Sequence, residues 1–259
     1  MDYPAYVQRE LAMGSTPQVG SRGGDVRRVQ EWLGLHGCAT GIDGEFGLAT
    51  QSALEKFQRQ ARLAESGKVD AATWDALTAP MRRALAVPKL AASATLAATT
   101  LKFAQLHLAQ HPREVGGDNC GPWVRLYMSG TQGPAHYWCA GFVTFVLRQA
   151  CMALDRPMPL PGSQSCDSLA YQARERGLFV AGSAVANGSA SWAELRPAAI
   201  FLVRNTATDW THTGFAHGAS AEVFSTIEGN TNDDGSNNGY EVCARTRSLP
   251  KKDFIRLPD

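Results

Sequence analysis

The hydrophobic positions between residues 19 and 78 recur at helical spacing and predict a small module of three short helices. The first helix is expected to begin near Asp25, the second to span residues 50–62, and the third to begin at Asp70. Residues 41–47 contain three glycines and an Asp-Gly step, a composition typical of a tight turn. The pattern therefore predicts two helices joined by this turn and followed by a third.

The rest of the chain changes its hydrophobic period close to Pro197. Before this proline, helical spacing extends over residues 95–110 and 139–154, and residues 124–128 are expected to form a short helix. After it, the apolar residues fall in short runs bounded by turn residues, as in antiparallel strands, at 199–203, 213–219, 222–227, 240–246 and 254–257. Helices followed by strands predict an α+β domain in which N-terminal helices pack on an antiparallel sheet.

These patterns divide the chain of 259 residues into two domains, which is within the range expected for this length. Residues 1–79 contain the helical module, with its core at residues 19–78. Residues 80–98 are rich in alanine, contain two prolines and are expected to form a partly helical linker. Residues 99–259 form the larger domain.

Charge and composition argue against several classes of protein. The 25 Lys and Arg residues nearly balance the 24 Asp and Glu residues, so binding to nucleic acid or anionic lipid through bulk charge is not expected. Residues 1–10 include charged side chains and no apolar core, so a cleavable secretory signal is not expected. The uncharged stretch at residues 90–101 is too short to span a membrane, which takes about 20 residues.

Cys139 is the cysteine whose position suggests chemistry. The chain has six cysteines, and none shows the C-x-x-C spacing of a zinc or redox motif. Cys139 lies where a loop meets a predicted helix, and the free N–H groups at a helix N-terminus stabilise an anion. We therefore expect a lowered thiol pKa, a thiolate nucleophile at neutral pH, and N–H groups that could face an oxyanion. The alternative is a buried core cysteine without a chemical role.

Two of the predicted strands supply partners for this nucleophile. His212 begins one strand, and Glu228 and Asn230 end the next. Because side chains alternate along a strand, Glu228 and Asn230 are expected to share a face and to point toward His212. A neutral imidazole can remove the thiol proton and later protonate the leaving amine, and a carboxylate or amide behind it fixes its orientation. His217 is expected to face away.

The remaining candidates carry weaker signals. His136 lies three residues before Cys139 and is a second candidate for the base. His107 and His111 have a spacing that suits a metal, but without a third ligand they are expected to be surface residues. The oxygen-rich residues 230–239 could bind calcium, although a polar turn between two strands is favoured.

The helical module resembles the peptidoglycan-binding module of many cell-wall hydrolases. The resemblance covers roughly 60 residues and rests on Gly23, Asp25-Val26, Val29-Gln30, Leu33, Asp43 to Gly47, Thr50, Ala53, Phe57-Gln58, Gly67, Val69-Asp70, Thr73 and Leu77. Most of these are core or turn positions, so the resemblance is more specific for the fold than for the ligand. The alternative is a module that has lost its glycan affinity and serves as a spacer or docks a partner.

The larger domain resembles the CHAP family of papain-like, cysteine- and histidine-dependent amidohydrolases and peptidases. The resemblance extends from about residue 101 to residue 257 and rests on Glu114 to Asn119, Gly121 to Val124, Trp138 to Val143, His212 to Gly214 and Ile227 to Asn232. It implies a papain-like fold with Cys139 as nucleophile, His212 as base, Glu228 as the orienting residue and Asn230 as an additional polar partner. For the oxyanion, Gln132 and Tyr127 are weak candidates that better fit loop or packing roles.

Together the two resemblances imply a peptidoglycan hydrolase that cleaves an amide bond, within the peptides or between glycan and stem peptide, without a required cofactor. An inactive cell-wall-binding protein and a cysteine peptidase acting on another amide are the alternatives. Without a secretory signal, the expected routes to the periplasm or cell wall are phage lysis and contact-dependent secretion. An effector of the second kind implies a cognate immunity protein as a partner.

Overall fold

The computed structural model describes residues 1–219, 222–232 and 239–258. Its helices are α1 (Ala5–Leu11), α2 (Gly24–Leu35), α3 (Leu48–Gln60), α4 (Ala71–Leu85), α5 (Leu96–Leu108), α6 (Pro122–Tyr127), α7 (Cys139–Ala153), α8 (Cys166–Glu175) and α9 (Gly182–Ala186), with a 3₁₀ turn at Trp192–Leu195. Its strands are β1 (Phe179–Val180), β2 (Ala198–Arg204), β3 (Trp210–His217), β4 (Val223–Thr231), β5 (Glu241–Ser248) and β6 (Lys252–Arg256). The predicted α+β class is confirmed.

The chain forms two compact units, a helical unit and a sheet unit. The helical unit contains residues 2–84 and 113–135, and the sheet unit contains residues 85–112 and 136–259. Residues 113–135, which the sequence patterns place in the larger domain, therefore belong to the same unit as the N-terminal helices. Within the described residues, no helix is both long enough and apolar enough to cross a bilayer.

The predicted helical module is confirmed in the helical unit. Its apolar core consists of residues that recur at helical spacing, namely Val26, Val29, Leu33, Leu54, Phe57, Trp74 and Leu77. The turn before α3 is closed by Gln30, whose side chain donates to Asp43 Oδ1 and accepts from the Gly44 N–H, both at 2.8 Å. Asp70 caps α4 by accepting the Thr73 N–H at 2.8 Å. Helix α4 continues through Pro80 to Leu85, within the segment predicted as a partly helical linker.

A buried ionic cluster explains why residues 113–135 belong to the helical unit. Arg125, on α6, donates to both carboxylate oxygens of Glu10 at 2.7 and 3.0 Å. It also donates to both carboxylate oxygens of Glu31, at 3.0 and 2.7 Å. Beside it, the Trp123 ring packs edge-on against Trp32, with a centroid separation of 6.1 Å. Bidentate pairing of this kind fixes geometry as well as charge, so it holds α6 against α1 and α2.

The sheet unit contains a six-stranded antiparallel sheet in the order β1-β6-β2-β3-β4-β5. Each of the five predicted strand runs overlaps a strand of this sheet, whereas β1 and α8 were not predicted from the hydrophobic pattern. Helix α7 packs on β3 and β4, with Phe142 edge-on to Phe215 at 5.8 Å. Helix α8 packs on β3, and Asp167 ties the two together by accepting the Trp210 N–H at 2.7 Å.

Candidate active site

Cys139 is the first residue of α7, as the sequence pattern predicts. The preceding residue, Trp138, is the N-cap, and the Ala140 backbone N–H bonds to the Cys139 sulfur. Only 4% of the cysteine is exposed. The sulfur therefore sits at the positive end of a 15-residue helix, where unpaired backbone donors favour an anion.

His212 is fully buried on β3, and its imidazole is oriented by Glu228 on β4. Its Nε2 donates to Glu228 Oε2 over 2.8 Å. The other ring nitrogen, Nδ1, is also buried. Because Glu228 fixes the proton on Nε2, Nδ1 is the atom that can accept a proton from a neighbouring acid.

That neighbouring acid is Cys139, and the two groups stabilise each other's charged form. Hydrogen bonding from Cys166 and from His212 holds the pKa of Cys139 well below its ordinary value, against the opposing effect of burial. Burial would lower the pKa of His212, but hydrogen bonds and charges from Cys139 and Glu228 raise it to about 9. These two shifts favour the pair in which Cys139 is a thiolate and His212 an imidazolium.

Glu228 is a fully buried carboxylate whose oxygens are all engaged. Arg247, on β5, donates to it from Nε at 2.8 Å and from Nη2 at 2.6 Å. Thr226 donates its hydroxyl to Oε1 at 2.5 Å. Burial would raise the pKa of Glu228, but hydrogen bonds and charges from Arg247 and His212 lower it to about 2. The carboxylate therefore stays charged behind the imidazole.

Asn230 lies two residues after Glu228 but has different hydrogen-bond partners. Its Oδ1 accepts the Trp138 backbone N–H at 3.0 Å, and its Nδ2 donates to the Gly239 carbonyl at 2.6 Å. The strand register shifts between Glu228 and Thr231, and Asn230 has a φ of 56°. A bulge of this kind re-aims side chains, so the alternation that predicted both side chains pointing at His212 does not hold here. Asn230 instead anchors the N-cap of the nucleophile helix.

Two residues of this site were missed by the sequence reasoning. Cys166 begins α8, and its sulfur lies 3.8 Å from the Cys139 sulfur. The N-cap Ser165, followed by apolar Leu169, Ala170 and Ala173, was a usable signal for α8. Arg247 had no comparable signal, because a lone arginine in a strand is typical of a solvated face.

The other histidines lie apart from this chemistry. His107 is buried rather than at the surface as expected, its Nε2 is 2.7 Å from Gln149 Oε1, and burial lowers its pKa to about 4. His111 is exposed after the end of α5. His136 is half-buried in the loop before α7, and His217 is half-buried at the end of β3. Neither His136 nor His217 contributes to the pairing of Cys139 with His212.

The weak oxyanion candidates have structural roles in the helical unit. Gln132 accepts the Gly121 N–H at 2.9 Å and an Arg125 N–H at 2.7 Å through the same oxygen. Tyr127 is buried and stacks on Trp123 at a centroid distance of 6.3 Å. Of the loop expected as a polar turn or calcium ligand, residues 233–238 lie outside the described residues. The described residues contain no cluster of three or more His, Cys, Asp or Glu side chains that could hold a metal.

Together, the residues place a thiol, an imidazole and a carboxylate in the order that acyl transfer needs. The thiolate can attack a carbonyl carbon, and the imidazolium can supply a proton to the departing amine. Backbone N–H groups at the start of α7 are donors for the developing oxyanion. The arrangement therefore suits cleavage of an amide bond.

Comparison with known proteins finds similarity within residues 22–77 of the helical unit. Residues 22–77 match the family described as "Putative peptidoglycan binding domain". A solved structure, titled "The crystal structure of SleB N-terminal domain", is 35% identical, covers 26% of this chain and 93% of that chain, and has a TM-score of 0.25. A search of curated proteins found no significant match.

The family match supports peptidoglycan as a partner and associates the chain with the cell wall. It agrees with the resemblance drawn from the core and turn residues of the helical module. The matched residues end before Cys139, so the match includes none of Cys139, His212 and Glu228.

Proposed function

We propose that this protein is a peptidoglycan hydrolase of the CHAP, papain-like type that cleaves an amide bond through the Cys139 thiolate. The observation that carries the proposal is the buried pair of His212 and Glu228, 2.8 Å apart, together with the Cys139 thiol at the start of α7; the pKa shifts of Cys139 and His212 agree with it. The peptidoglycan-binding match at residues 22–77 supplies the substrate class.

The reaction begins when the Cys139 sulfur attacks the amide carbonyl. A C–S bond forms, the carbonyl oxygen becomes an oxyanion facing the N-terminal N–H groups of α7, and the C–N bond then breaks. His212 donates its Nδ1 proton to the leaving amine. Water activated by the neutral imidazole hydrolyses the thioester, which releases the carboxylate product and restores the thiol.

Glu228 acts on this cycle through His212 rather than on the substrate. Its bond to Nε2 holds the ring in one tautomer and orientation during both proton transfers. Its charge stabilises the imidazolium that is present before attack. Glu228 and its partner Arg247 are therefore positioning residues.

The test is a digest of purified peptidoglycan by the wild-type chain and by Cys139→Ala, followed by mass spectrometry of the soluble products. The wild type should release products with new amine ends, and the variant should be slower by on the order of 10³-fold or more. Cys151→Ala removes a different buried thiol from the same helix and should retain activity. Free stem peptides would assign the glycan–peptide bond, and uncross-linked fragments would assign a peptide bond.

Two results would overturn the proposal. Products released equally by wild type and Cys139→Ala would exclude Cys139 as the nucleophile. Binding to peptidoglycan without any new amine ends would indicate a wall-binding protein or a peptidase of other amides. Delivery by secretion or phage lysis, and a cognate immunity protein, stay predictions from the sequence.

A further inference from the structure

Cys166 has no place in the amide-cleavage steps, yet it lies directly beside the nucleophile. The two sulfurs are 3.8 Å apart, at hydrogen-bonding distance for thiols. Cys139 begins α7 and Cys166 begins α8, so two helix N-termini meet at the sulfur pair. Both cysteines are free thiols.

We propose that Cys139 and Cys166 form a reversible oxidation site, in which a disulfide between them inactivates the Cys139 nucleophile. The loss of activity rests on the proposed function, because the disulfide removes the thiolate that attacks the amide. Formation of the disulfide itself depends only on the two sulfurs and an oxidant.

The local structure holds the second sulfur in place. Asp167, the residue after Cys166, accepts the Trp210 N–H at 2.7 Å, which ties the start of α8 to the strand that carries His212. Ser165 caps α8 by accepting the Ser168 N–H at 3.3 Å. To form a disulfide, the sulfurs have to approach from 3.8 Å to roughly 2 Å.

The two thiols differ in pKa, as stepwise oxidation to a disulfide requires. Cys139 has a lowered pKa, whereas hydrogen bonding to Cys139 and burial hold the pKa of Cys166 well above its ordinary value. Cys139 is therefore the thiolate that reacts with an oxidant first, and Cys166 is the protonated thiol that lies beside it. Cys139 is 4% and Cys166 7% exposed, which favours an oxidant as small as a peroxide.

With hydrogen peroxide the reaction takes two balanced steps. The Cys139 thiolate attacks one peroxide oxygen, an S–O bond forms, the O–O bond breaks, and hydroxide leaves and takes up a proton as water. The Cys166 sulfur then attacks the Cys139 sulfur, the S–O bond breaks, and the hydroxyl leaves with the Cys166 proton as a second water. Two thiols are oxidised to one disulfide and one peroxide is reduced to two waters.

The test treats the full-length wild type, Cys166→Ser and Cys151→Ser with hydrogen peroxide and measures intact mass and linked peptides. Wild type and Cys151→Ser should lose two hydrogen atoms and yield a peptide pair joining Cys139 to Cys166. Cys166→Ser should instead gain oxygen atoms on Cys139, because no resolving thiol protects the sulfenic acid. The same treatment of Cys166→Ala provides a second test if the serine variant does not fold.

Recovery with dithiothreitol provides the second measurement. Wild-type Cys139 should return to a free thiol, whereas Cys139 in the Cys166 variants should stay largely oxidised. Absence of the Cys139–Cys166 peptide pair, or equal recovery of wild type and variants, would overturn the oxidation site. A peptide pair that forms and reverses in a protein without hydrolase activity would support the oxidation site and contradict the proposed function.

Discussion

At the scale of single residues, the chemistry depends on keeping one buried carboxylate charged. Glu228 accepts hydrogen bonds from His212, Thr226 and both Arg247 nitrogens that face it. A buried carboxylate with fewer partners would take up a proton and lose its hold on the imidazolium. Arg247 adds a second positive charge to that of the His212 imidazolium, and its two hydrogen bonds help to keep Glu228 ionised.

We expect Arg247→Met to destabilise the fold by about 3 kcal/mol, because it leaves a buried carboxylate with less compensation. Arg247→Lys should lose less stability, because lysine keeps the positive charge although it cannot donate from two nitrogens to the carboxylate. Urea unfolding of the wild type and the two variants measures the differences in free energy of unfolding. A methionine variant as stable as the wild type would mean that the pair contributes nothing to the fold.

The same substitution should change how stability depends on pH. The pKa of Glu228 is about 2 in the folded chain and 4.5 ordinarily, so its stabilising effect is complete above pH 4.5 and disappears as the pH falls through 2. Without Arg247, the pKa of Glu228 in the folded chain rises toward 4.5. The difference in free energy of unfolding between wild type and Arg247→Met should therefore become smaller in acid. A gap that stays constant from pH 7 to pH 3 would contradict this linkage.

At the scale of elements, the nucleophile is placed by close contact between β4 and α7. Gly229 lies against the helix, and an added Cβ would come within 2.8 Å of Phe142 Cβ and Trp138 Cζ3. The neighbouring Asn230 holds the Trp138 N–H at the start of the same helix. One short stretch of β4 therefore orients the base through Glu228 and positions the helix that carries Cys139.

We expect Gly229→Ala to push β4 away from α7, which should cost about 1–3 kcal/mol and lower hydrolysis more than the loss of stability explains. Gly24→Ala adds the same methyl group at the start of α2, where no atom lies within 4 Å. Thermal unfolding and the peptidoglycan digest compare the two. Equal unfolding temperatures and equal rates of hydrolysis for the two variants would show that the β4–α7 contact does not position the site residues.

The elements that the sequence predicted are those with a regular hydrophobic period. The start of α7 at Cys139 and the strands carrying His212 and Glu228 could be predicted because their apolar residues repeat over several turns or alternations. The role of Asn230 could not, because a bulge breaks the alternation on which the prediction relied. Arg247 and Cys166 were missed because long-range pairing, rather than local pattern, brings them to the site.

At the scale of the whole molecule, the chain forms two compact units, and the proposed function assigns them different tasks. Residues 22–77 of the helical unit match a peptidoglycan-binding family, whereas Cys139, His212 and Glu228 all belong to the sheet unit. Binding energy gained by a targeting module raises the local concentration of substrate without taking part in the bond-breaking step.

We therefore expect Cys139→Ala to bind insoluble peptidoglycan sacculi as tightly as the wild type while releasing no fragments. Co-sedimentation of the full-length proteins with sacculi measures binding, and a tube without sacculi controls for aggregation. A variant that remains in the supernatant would mean that retention on the wall depends on the reacting thiol rather than on the helical unit.

The central claim is that Cys139 is a thiolate at neutral pH because His212 stands beside it as an imidazolium. The most direct measurement is the rate of Cys139 alkylation by iodoacetamide against pH, mapped by peptide mass spectrometry, in wild type and His212→Gln. In the wild type the rate should stay high well below the ordinary thiol pKa of about 8.5, and in the variant the titration should shift upward. Identical curves that both rise near the ordinary thiol pKa would contradict the account.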